Sequence, residues 1–286
     1  MRAPTISIII PTYKRPEELE ICLKEILHQI QRNSYINEEI IVCDDEHCTS
    51  LQQKLTALSP EIRYVQGPQK GPASNRNAGA KMAQGQWLIF IDDDCIPEPG
   101  WLEAYRQSFV QHPAIEALEG KVIAIGAKRR LNDGCPQNLN GDCFWSCNIA
   151  ITREAFDRLG CFDESFPYAA FEDIEFYHRI KALGIRHAFL ATASVKHPWK
   201  AIGGWNACIK QLSSLVVFIN KHPDQWPSRY PLAHFKSVAK HLIQDLIPGF
   251  LRYKGRGSLN AIAYWCAELY FGLWLLWTRP WPKTKT

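Results

Sequence analysis

Five apolar residues, Trp87-Leu88-Ile89-Phe90-Ile91, run without a break into three carboxylates, Asp92-Asp93-Asp94. This junction constrains the fold more than any other stretch of the chain. An apolar run with no polar alternation reads as a strand buried on both faces, the kind found in sheets covered by helices on either side. Three adjacent acids repel one another and are costly to gather unless a cation sits among them. Carboxylate oxygens suit hard divalent ions such as Mg²⁺ or Mn²⁺. The carboxyl end of a buried strand is also where open α/β sheets take their ligands. The competing reading is a solvated acidic turn that leads into Pro97-Glu98-Pro99-Gly100. This stretch alone leaves both open.

The surrounding chain repeats the same pattern. Residues 6–10, 39–43 and 62–65 are short apolar runs, and the second also ends in acids, Asp44-Asp45. Between them lie stretches with helical spacing. Leu19, Leu23, Ile26, Leu27 and Ile30 share one face after Pro16, and residues 51–58 and 74–82 are also helical. Strand alternating with helix indicates a doubly wound, mostly parallel α/β sheet with helices on both faces. Further on, a helix is expected over 99–111 and a strand over 116–125. A polar, turn-rich loop over 126–141 holds Lys128-Arg129-Arg130 and is read as mobile. An apolar run over 144–151, a helix capped by Thr152, a helix over 170–183 and a strand over 187–195 complete the body.

Charge divides the chain. Residues 1–199 carry 21 Lys/Arg against 26 Asp/Glu, net −5, whereas residues 200–286 carry 12 against 3, net +9. Seven of the ten Trp lie beyond residue 198. The split predicts a catalytic domain over 1–200 and a helical, basic, Trp-rich extension over 201–286. The start, Met1-Arg2-Ala3-Pro4-Thr5, has no charged-then-apolar leader, so the ten Cys are expected as free thiols in a reducing cytoplasm. The spacing of Cys143 and Cys147 fits no common zinc template.

Three separated acidic sites need one explanation: Asp44/Asp45, Asp92–Asp94 and Glu172/Asp173. A nucleotide-diphosphate substrate supplies it. One acid group accepts from base or ribose, and one holds a metal against the diphosphate. A third stays metal-free to take a proton from an attacking hydroxyl. His197 is a further candidate ligand, since neutral imidazole binds such ions.

In order along the chain stand Ile8-Ile9-Ile10-Pro11-Thr12-Tyr13-Lys14-Arg15, Ile41-Val42-Cys43-Asp44-Asp45, Gly71-Pro72-Ala73-Ser74-Asn75-Arg76-Asn77-Ala78-Gly79 and Phe90-Ile91-Asp92-Asp93-Asp94. Asn148-Ile149-Ala150-Ile151-Thr152-Arg153, Gly160-Cys161-Phe162-Asp163-Glu164 and Phe171-Glu172-Asp173-Ile174-Glu175-Phe176 follow. Each motif is weak alone, but the ordered set over residues 4–200 resembles the family-2 inverting glycosyltransferases of GT-A fold. The resemblance implies hexosyl transfer from a nucleotide-diphospho-sugar, by family habit a UDP-sugar, to a hydroxyl of a glycan or lipid-linked acceptor in cell-envelope polysaccharide synthesis. It implies roles for individual residues as well. Pro11, Thr12, Tyr13 and Asp45 line the base pocket, supported by Asp44. Arg76 lies near the diphosphate, and Asp92 and Asp93 contact the donor. Asp92, Asp94 and His197 hold Mg²⁺ or Mn²⁺. Asp173 is the general base, and Glu172 orients it or the acceptor. The chain departs from the family pattern at Glu46-His47-Cys48-Thr49 and at Gly160-Cys161, where Gly-Gly is usual.

In the extension, Leu232, Phe235, Val238, Ala239, Leu242, Ile243, Leu246 and Ile247 form a helical apolar stripe. Residues 261–277 are nearly all apolar, interrupted by Glu268, and lead to Arg279, Trp281 and Lys283. Seventeen residues with an internal acid are short for a membrane span. These helices either pack on the body or lie in an anionic lipid interface at the inner face of the cell membrane. Two rival activities stand beside this one: a metal-dependent phosphatase or nucleotidyltransferase, and an inactive sugar-nucleotide-binding protein. Cys95-Ile96-Pro97 lacks the Gly-Thr turn that Asp-x-Asp phosphatases need, and the intact Glu172-Asp173 pair speaks against an inactive chain. No nucleic-acid reading motif is present.

Overall fold

A computed structural model describes residues 6–31, 38–223 and 230–278. The charged end with Arg279, Trp281 and Lys283 lies outside the described residues. Two compact units emerge. One comprises Met1–Ile125, Pro136–Glu164 and Glu172–Pro198; the other comprises Gly126–Cys135, Ser165–Phe171 and Trp199–Thr286. The second unit therefore takes in the 126–135 and 165–171 segments besides the C-terminal helices.

The first unit is built on an eight-stranded sheet. Its strands are β1 (Ile6–Thr12), β2 (Glu38–Asp44), β3 (Ile62–Gln66), β4 (Trp87–Ile91), β5 (Ile96–Pro97), β6 (Ala117–Ala124), β8 (Asn148–Thr152) and β9 (His187–His197). Between β6 and β8 in the chain comes the short β7 (Asp133–Gly134), which belongs to the second unit. The sheet order is β3-β2-β1-β4-β8-β6-β9-β5. The pairings β1·β2, β1·β4, β2·β3 and β6·β9 are parallel, and β8 runs antiparallel to both β4 and β6. Strands β3, β2, β1, β4, β6 and β9 consequently all point the same way. The carboxyl ends of β1 at Thr12, β2 at Asp44, β4 at Ile91 and β9 at His197 reach one rim.

The apolar runs are buried on both faces, as continuous hydrophobicity requires. Ile8, Ile10, Ile40, Val42, Ile89 and Ile91 enter one core. Their alternating neighbours Ile9, Ile41, Cys43, Leu88 and Phe90 enter the other. Helix α1 (Pro16–Gln31) covers the first face with Leu19, Cys22, Leu23 and Ile26, each fully buried. A fully buried side chain of this size contributes roughly 1.5–3 kcal/mol. Helix α2 (Thr49–Leu58) adds Leu51 and Leu55 to the same core.

Helix α3 (Pro72–Met82) lies against β1 and β2. A Cβ on Gly79 would come within 2.5 Å of Ile9 Cγ2 and 2.7 Å of the Cys43 sulfur, so only glycine allows this approach. Helices α4 (Trp101–Gln111), α5 (Arg153–Leu159) and α6 (Glu172–Ala182) complete the layers. Thr152 caps α5 as expected, its hydroxyl accepting from Ala155 N at 3.2 Å. All ten cysteines are free thiols.

In the second unit, β7 pairs antiparallel with β10 (Lys200–Ala201). This ties down part of the loop expected to be mobile, through a contact that no local sequence pattern announces. Helix α7 (Trp205–Lys221) packs against α10 (Ser258–Thr278), with Cys208, Leu212, Leu215, Ile219, Ala267, Phe271 and Leu275 between them. Helix α8 (Tyr230–His241) passes through a π-turn at Leu242–Leu246 into α9 (Ile247–Arg252).

Helix α10 is 21 residues long, starting before the apolar run does, and Ser258–Trp277 is long and apolar enough to cross a membrane by length and composition. Only 28% of that stretch is buried. The acid that interrupts it is explained by a partner: Glu268 Oε2 lies 2.7 Å from His241 Nδ1 on α8. The stripe expected over 232–247 does not form one packed face. Val238 and Leu246 are buried, whereas Leu232, Ile243 and Ile247 are exposed, and the π-turn changes the helical register in the second half of the stripe.

Candidate active site

Beyond β4, Asp92, Asp93 and Asp94 emerge side by side at the rim, and the chain itself supplies the cations that such a trio needs. Arg76, on α3, donates from Nη2 to Asp92 Oδ1 at 2.7 Å. Arg15, in the loop after β1, donates from Nη1 to Asp93 Oδ1 at 3.0 Å and to Asp94 Oδ2 at 2.8 Å. Thr12 donates its hydroxyl to Asp93 Oδ2 at 2.8 Å. Thr12 and Asp93, both assigned to the donor by resemblance, thus bond to each other beneath the rim. Arg15 was given no role from sequence. Its signal was a cation three residues past the strand end that shares the rim with the acids.

The second acid pair opens α6. Phe171, just before it, holds φ at 70°, an uncommon conformation for a bulky residue. Glu172 Oε1 lies 3.5 Å from Arg76 Nη1. Arg76 therefore joins Asp92 to Glu172, with its guanidinium also 5.6 Å from the Phe162 ring. It is buried between these acids, where it stays charged.

Burial, reinforced by the charge of Asp173, raises the Glu172 carboxyl to about 7. Burial likewise raises Asp173 to about 6; Arg76 and the Ile174 N–H pull it down and Asp92 pushes it up. Those mutual influences place Asp173 within electrostatic reach of Arg76 and Asp92. A half-buried carboxylate titrating close to neutrality has the proton affinity a general base needs.

The first acid pair is tied more firmly into local structure. Asp44 accepts from Glu46 N at 2.9 Å, Cys48 N at 2.8 Å and the Tyr64 hydroxyl at 2.8 Å. Those bonds shape the Glu46-His47-Cys48-Thr49 turn, the first departure from the family pattern. Asp45 accepts from Gln69 N at 3.0 Å and Gly71 N at 3.3 Å, fixing the loop before α3. Pro11 is buried beside them, whereas Tyr13 is 54% exposed, with Lys14 Nζ over its ring at 5.0 Å from the centroid.

Among the described residues, Asp94, Cys95 and His197 have ligand atoms within 4.8 Å of one another. His197 Nδ1 lies 2.8 Å from Pro198 O and so carries the proton there. The ring then turns Nε2 toward Asp94 Oδ1 at 3.3 Å. A neutral imidazole would aim a lone pair at a carboxylate in this geometry, which calls for a cation or a proton between them. An oxygen donor beside an imidazole nitrogen fits Mg²⁺ or Mn²⁺. Cys95 fits less well, because its fully buried thiol, hydrogen-bonded to the Cys147 thiol, is held well above the usual thiol range and keeps its proton. Asp92, expected as a third ligand, stands outside this cluster with Oδ1 held by Arg76.

Other side chains fix the frame. Asn77 donates to Phe162 O at 2.9 Å and accepts from Phe162 N at 3.0 Å, which anchors the Gly160-Cys161-Phe162-Asp163 turn to α3. Cys161, where the family pattern has its second glycine, sits at φ 67°. Buried Glu119 accepts from Asp142 N, Cys143 N and Phe144 N at 2.7–3.1 Å. Neither Asn77 nor Glu119 was singled out from sequence, since each bonds backbone across the fold.

Comparison with known proteins adds to this geometry. The model of glycosyl transferase family 2 matches residues 7–160. The chain is 24% identical over 273 residues to a validoxylamine A glucosyltransferase of Streptomyces hygroscopicus subsp. jinggangensis, covering 79% of this chain and 63% of that one. It is 35% identical over 174 residues to the putative colanic acid biosynthesis glycosyl transferase WcaA of Escherichia coli, covering 56% and 59% respectively. The chain thus spans roughly three fifths of the length of these relatives. Its fold is similar to that of the mannosyltransferase PcManGT of Pyrobaculum calidifontis, solved with GDP-Man and Mn²⁺: TM-score 0.57, 18% identity, 98% of this chain and 83% of that one.

Proposed function

The chain belongs to glycosyl transferase family 2, and from that premise we propose that it moves a hexosyl group from a nucleotide-diphosphate donor, UDP-linked, to a hydroxyl of an envelope glycan or lipid-linked acceptor, with inversion. The observation that carries this reading is the chain of contacts Asp92–Arg76–Glu172 with Asp173 beside it. It sets a candidate proton acceptor against the acids of the donor rim. Asp173 takes the proton of the acceptor hydroxyl as its oxygen attacks the anomeric carbon, and the diphosphate departs on the opposite face.

The remaining residues act by holding this geometry. Arg76 holds Asp92 and Glu172 in line through its guanidinium, and Arg15 does the same for Asp93 and Asp94. Tyr13 offers its exposed ring to the base, and Asp45 braces the loop beneath it. Asp94 and His197 are the residues that would hold Mg²⁺ or Mn²⁺. Such an ion, when bound, offsets the negative charge of the diphosphate.

The second unit suggests where the acceptor is met. Leu251, Leu259 and Trp277 are exposed by 74%, 84% and 90%, in a region of net charge +9. Apolar side chains among basic ones suit an anionic lipid surface, which would place the enzyme at the cytoplasmic face of the cell membrane.

The test is Asp173→Asn, assayed for nucleoside-diphosphate release across a sugar-nucleotide panel with and without Mn²⁺. Activity should fall by about two to four decades while donor binding stays intact. Turnover near wild type would remove Asp173 from the role.

A further inference from the structure

Glu119 on β6 is 2% exposed and takes no part in the transfer proposed above. A carboxylate at that depth is tolerated only when donors surround it. Asp142 N reaches its Oε1 at 2.7 Å, and Cys143 N, Phe144 N and the Asn138 side-chain amide reach Oε2 at 3.1, 2.8 and 2.8 Å. Successive backbone N–H groups converge on one anion only where the chain curls, and Gly141, Asp142 and Phe144 hold φ at 91°, 65° and 51°. A left-handed φ is costly for the bulky Phe144 and persists because the surroundings impose it. A buried acid thus fixes the shape of a turn that these residues would not adopt by themselves.

What the turn holds is α6. The Tyr177 hydroxyl donates to Asp142 Oδ1 at 2.8 Å, and its ring stacks on Phe144 with centroids 5.0 Å apart and planes 8° from parallel. His187 Nε2 also lies 3.3 Å from that hydroxyl, while its Nδ1 lies 2.9 Å from Ile185 O and carries the proton there. Both neighbours of the hydroxyl are then acceptors, and the closer oxygen, on Asp142, takes its single proton. Tyr177 follows Asp173 by four residues, so the two share one face of α6 a turn apart, and helical side chains lean toward the N-terminal end. The turn therefore lies along the end of the helix that carries Asp173. The Cys143 thiol registers this closeness: burial raises it first, and the charges of Glu119, Asp142 and Asp173 push it further up. On another flank of α6, Phe176 stacks on Phe162 at 4.3 Å, and Arg179 donates to Leu159 O and Cys161 O. Those contacts hold the helix; Tyr177 holds the flank on which Asp173 stands.

We propose that Tyr177 is a positioning residue for the transfer: gripped by Asp142 and Phe144, it keeps the first turn of α6, and Asp173 with it, in place beside Arg76 and Asp92. The role rests on the reading of Asp173 as the base. A misplacement of about 1 Å at a reacting group can cost about a hundredfold in rate. Loss of the hydroxyl is therefore felt in turnover far more than in stability.

The test is Tyr177→Phe in the full-length protein, which keeps the stacked ring and removes the bond to Asp142. Nucleoside-diphosphate release is followed from UDP-glucose, UDP-N-acetylglucosamine and GDP-mannose with Mn²⁺, and amide hydrogen exchange is followed over residues 172–177. The kcat should fall about tenfold while KM for the donor stays within about twofold. Exchange in that segment should quicken at least about fivefold. The thermal midpoint should drop by only about 2–4 °C, as the loss of one hydrogen bond allows. Asp142→Gly, which accepts a left-handed φ, should reproduce these changes and add little when combined with Tyr177→Phe. Asp142→Asn keeps an acceptor oxygen and should restore most of what Asp142→Gly loses. Unchanged exchange, a loss in KM rather than kcat, or an Asp142→Asn as poor as Asp142→Gly overturns the proposal. The two possible failures look different. Turnover near wild type in Asp173→Asn overturns the reading of the reaction and the positioning role with it. A sharp loss in Asp173→Asn beside an unaffected Tyr177→Phe overturns the positioning role alone.

Discussion

The two units treat polar and apolar groups in opposite ways. In the sheet unit the acids at the strand rim are matched by cations: Arg15 with Asp93 and Asp94, Arg76 with Asp92 and Glu172. Its apolar runs are almost fully covered. In the helical unit, by contrast, Leu232, Ile243, Leu251, Leu259, Leu276 and Trp277 stand in solvent. The first unit concentrates paired charge, and the second leaves apolar surface uncovered.

The contrast can be broken most forcefully at Arg76. Arg76→Met removes the cation between Asp92 and Glu172, and removing one partner of a buried ion pair typically costs about 3–5 kcal/mol. Denaturant unfolding should register that loss, together with a collapse of transfer. A cost below about 1 kcal/mol, the range of exposed pairs, would mean that the sheet unit is not charge-matched as described.

Next in size is the response to acid. Burial raises Asp173 to about 6 and Glu172 to about 7. A base must have lost its proton, so transfer should fall about tenfold per pH unit below about 6. The native state holds these protons more tightly than the unfolded chain does. The pair therefore favours the folded state fully below about 4, and this contribution fades as pH rises through about 6 to 7. Glu172→Gln should accordingly raise the thermal midpoint at pH 8 and leave it nearly unchanged at pH 4. A pH-independent rate between 5 and 8 would refute the assignment.

Smaller effects sharpen the comparison. Cys161→Gly should stabilise the sheet unit by about 1 kcal/mol, because a left-handed φ strains any side chain but not glycine. In the helical unit, Leu251→Ser with Leu259→Ser should change stability by no more than about 0.5 kcal/mol per site, as exposed substitutions do. The same change should reduce co-sedimentation with vesicles containing anionic lipid. Unchanged sedimentation would leave the exposed side chains without a lipid role.

The two units were also unequally legible in the sequence. The sheet strands show as unbroken apolar runs because both faces are covered, and the acids show because they follow strand ends directly. Asp173 follows no strand end, and only the family resemblance sets it with Asp92; the fold brings both into electrostatic contact with Arg76. The sequence pattern misses Arg15 and Glu119, whose partners are distant in sequence, and it gives no sign that Arg76 bridges two acids. The helical unit misleads. A stripe continuous on paper is divided between core and solvent, and a π-turn at Leu242–Leu246 changes the 3.6-residue register in its second half. The acid within α10 has its partner on another helix, His241, which no local pattern announces.

Gly79 has no functional group, yet it sets the distance between α3 and the strands beneath it. Arg76 lies almost one turn earlier on that helix. A single methyl at position 79 would lift the helix and draw the guanidinium away from both of its acids. The fidelity of this reaction centre is therefore vested partly in a hydrogen atom, and a survey of variants confined to ionisable side chains would overlook one of its most sensitive positions.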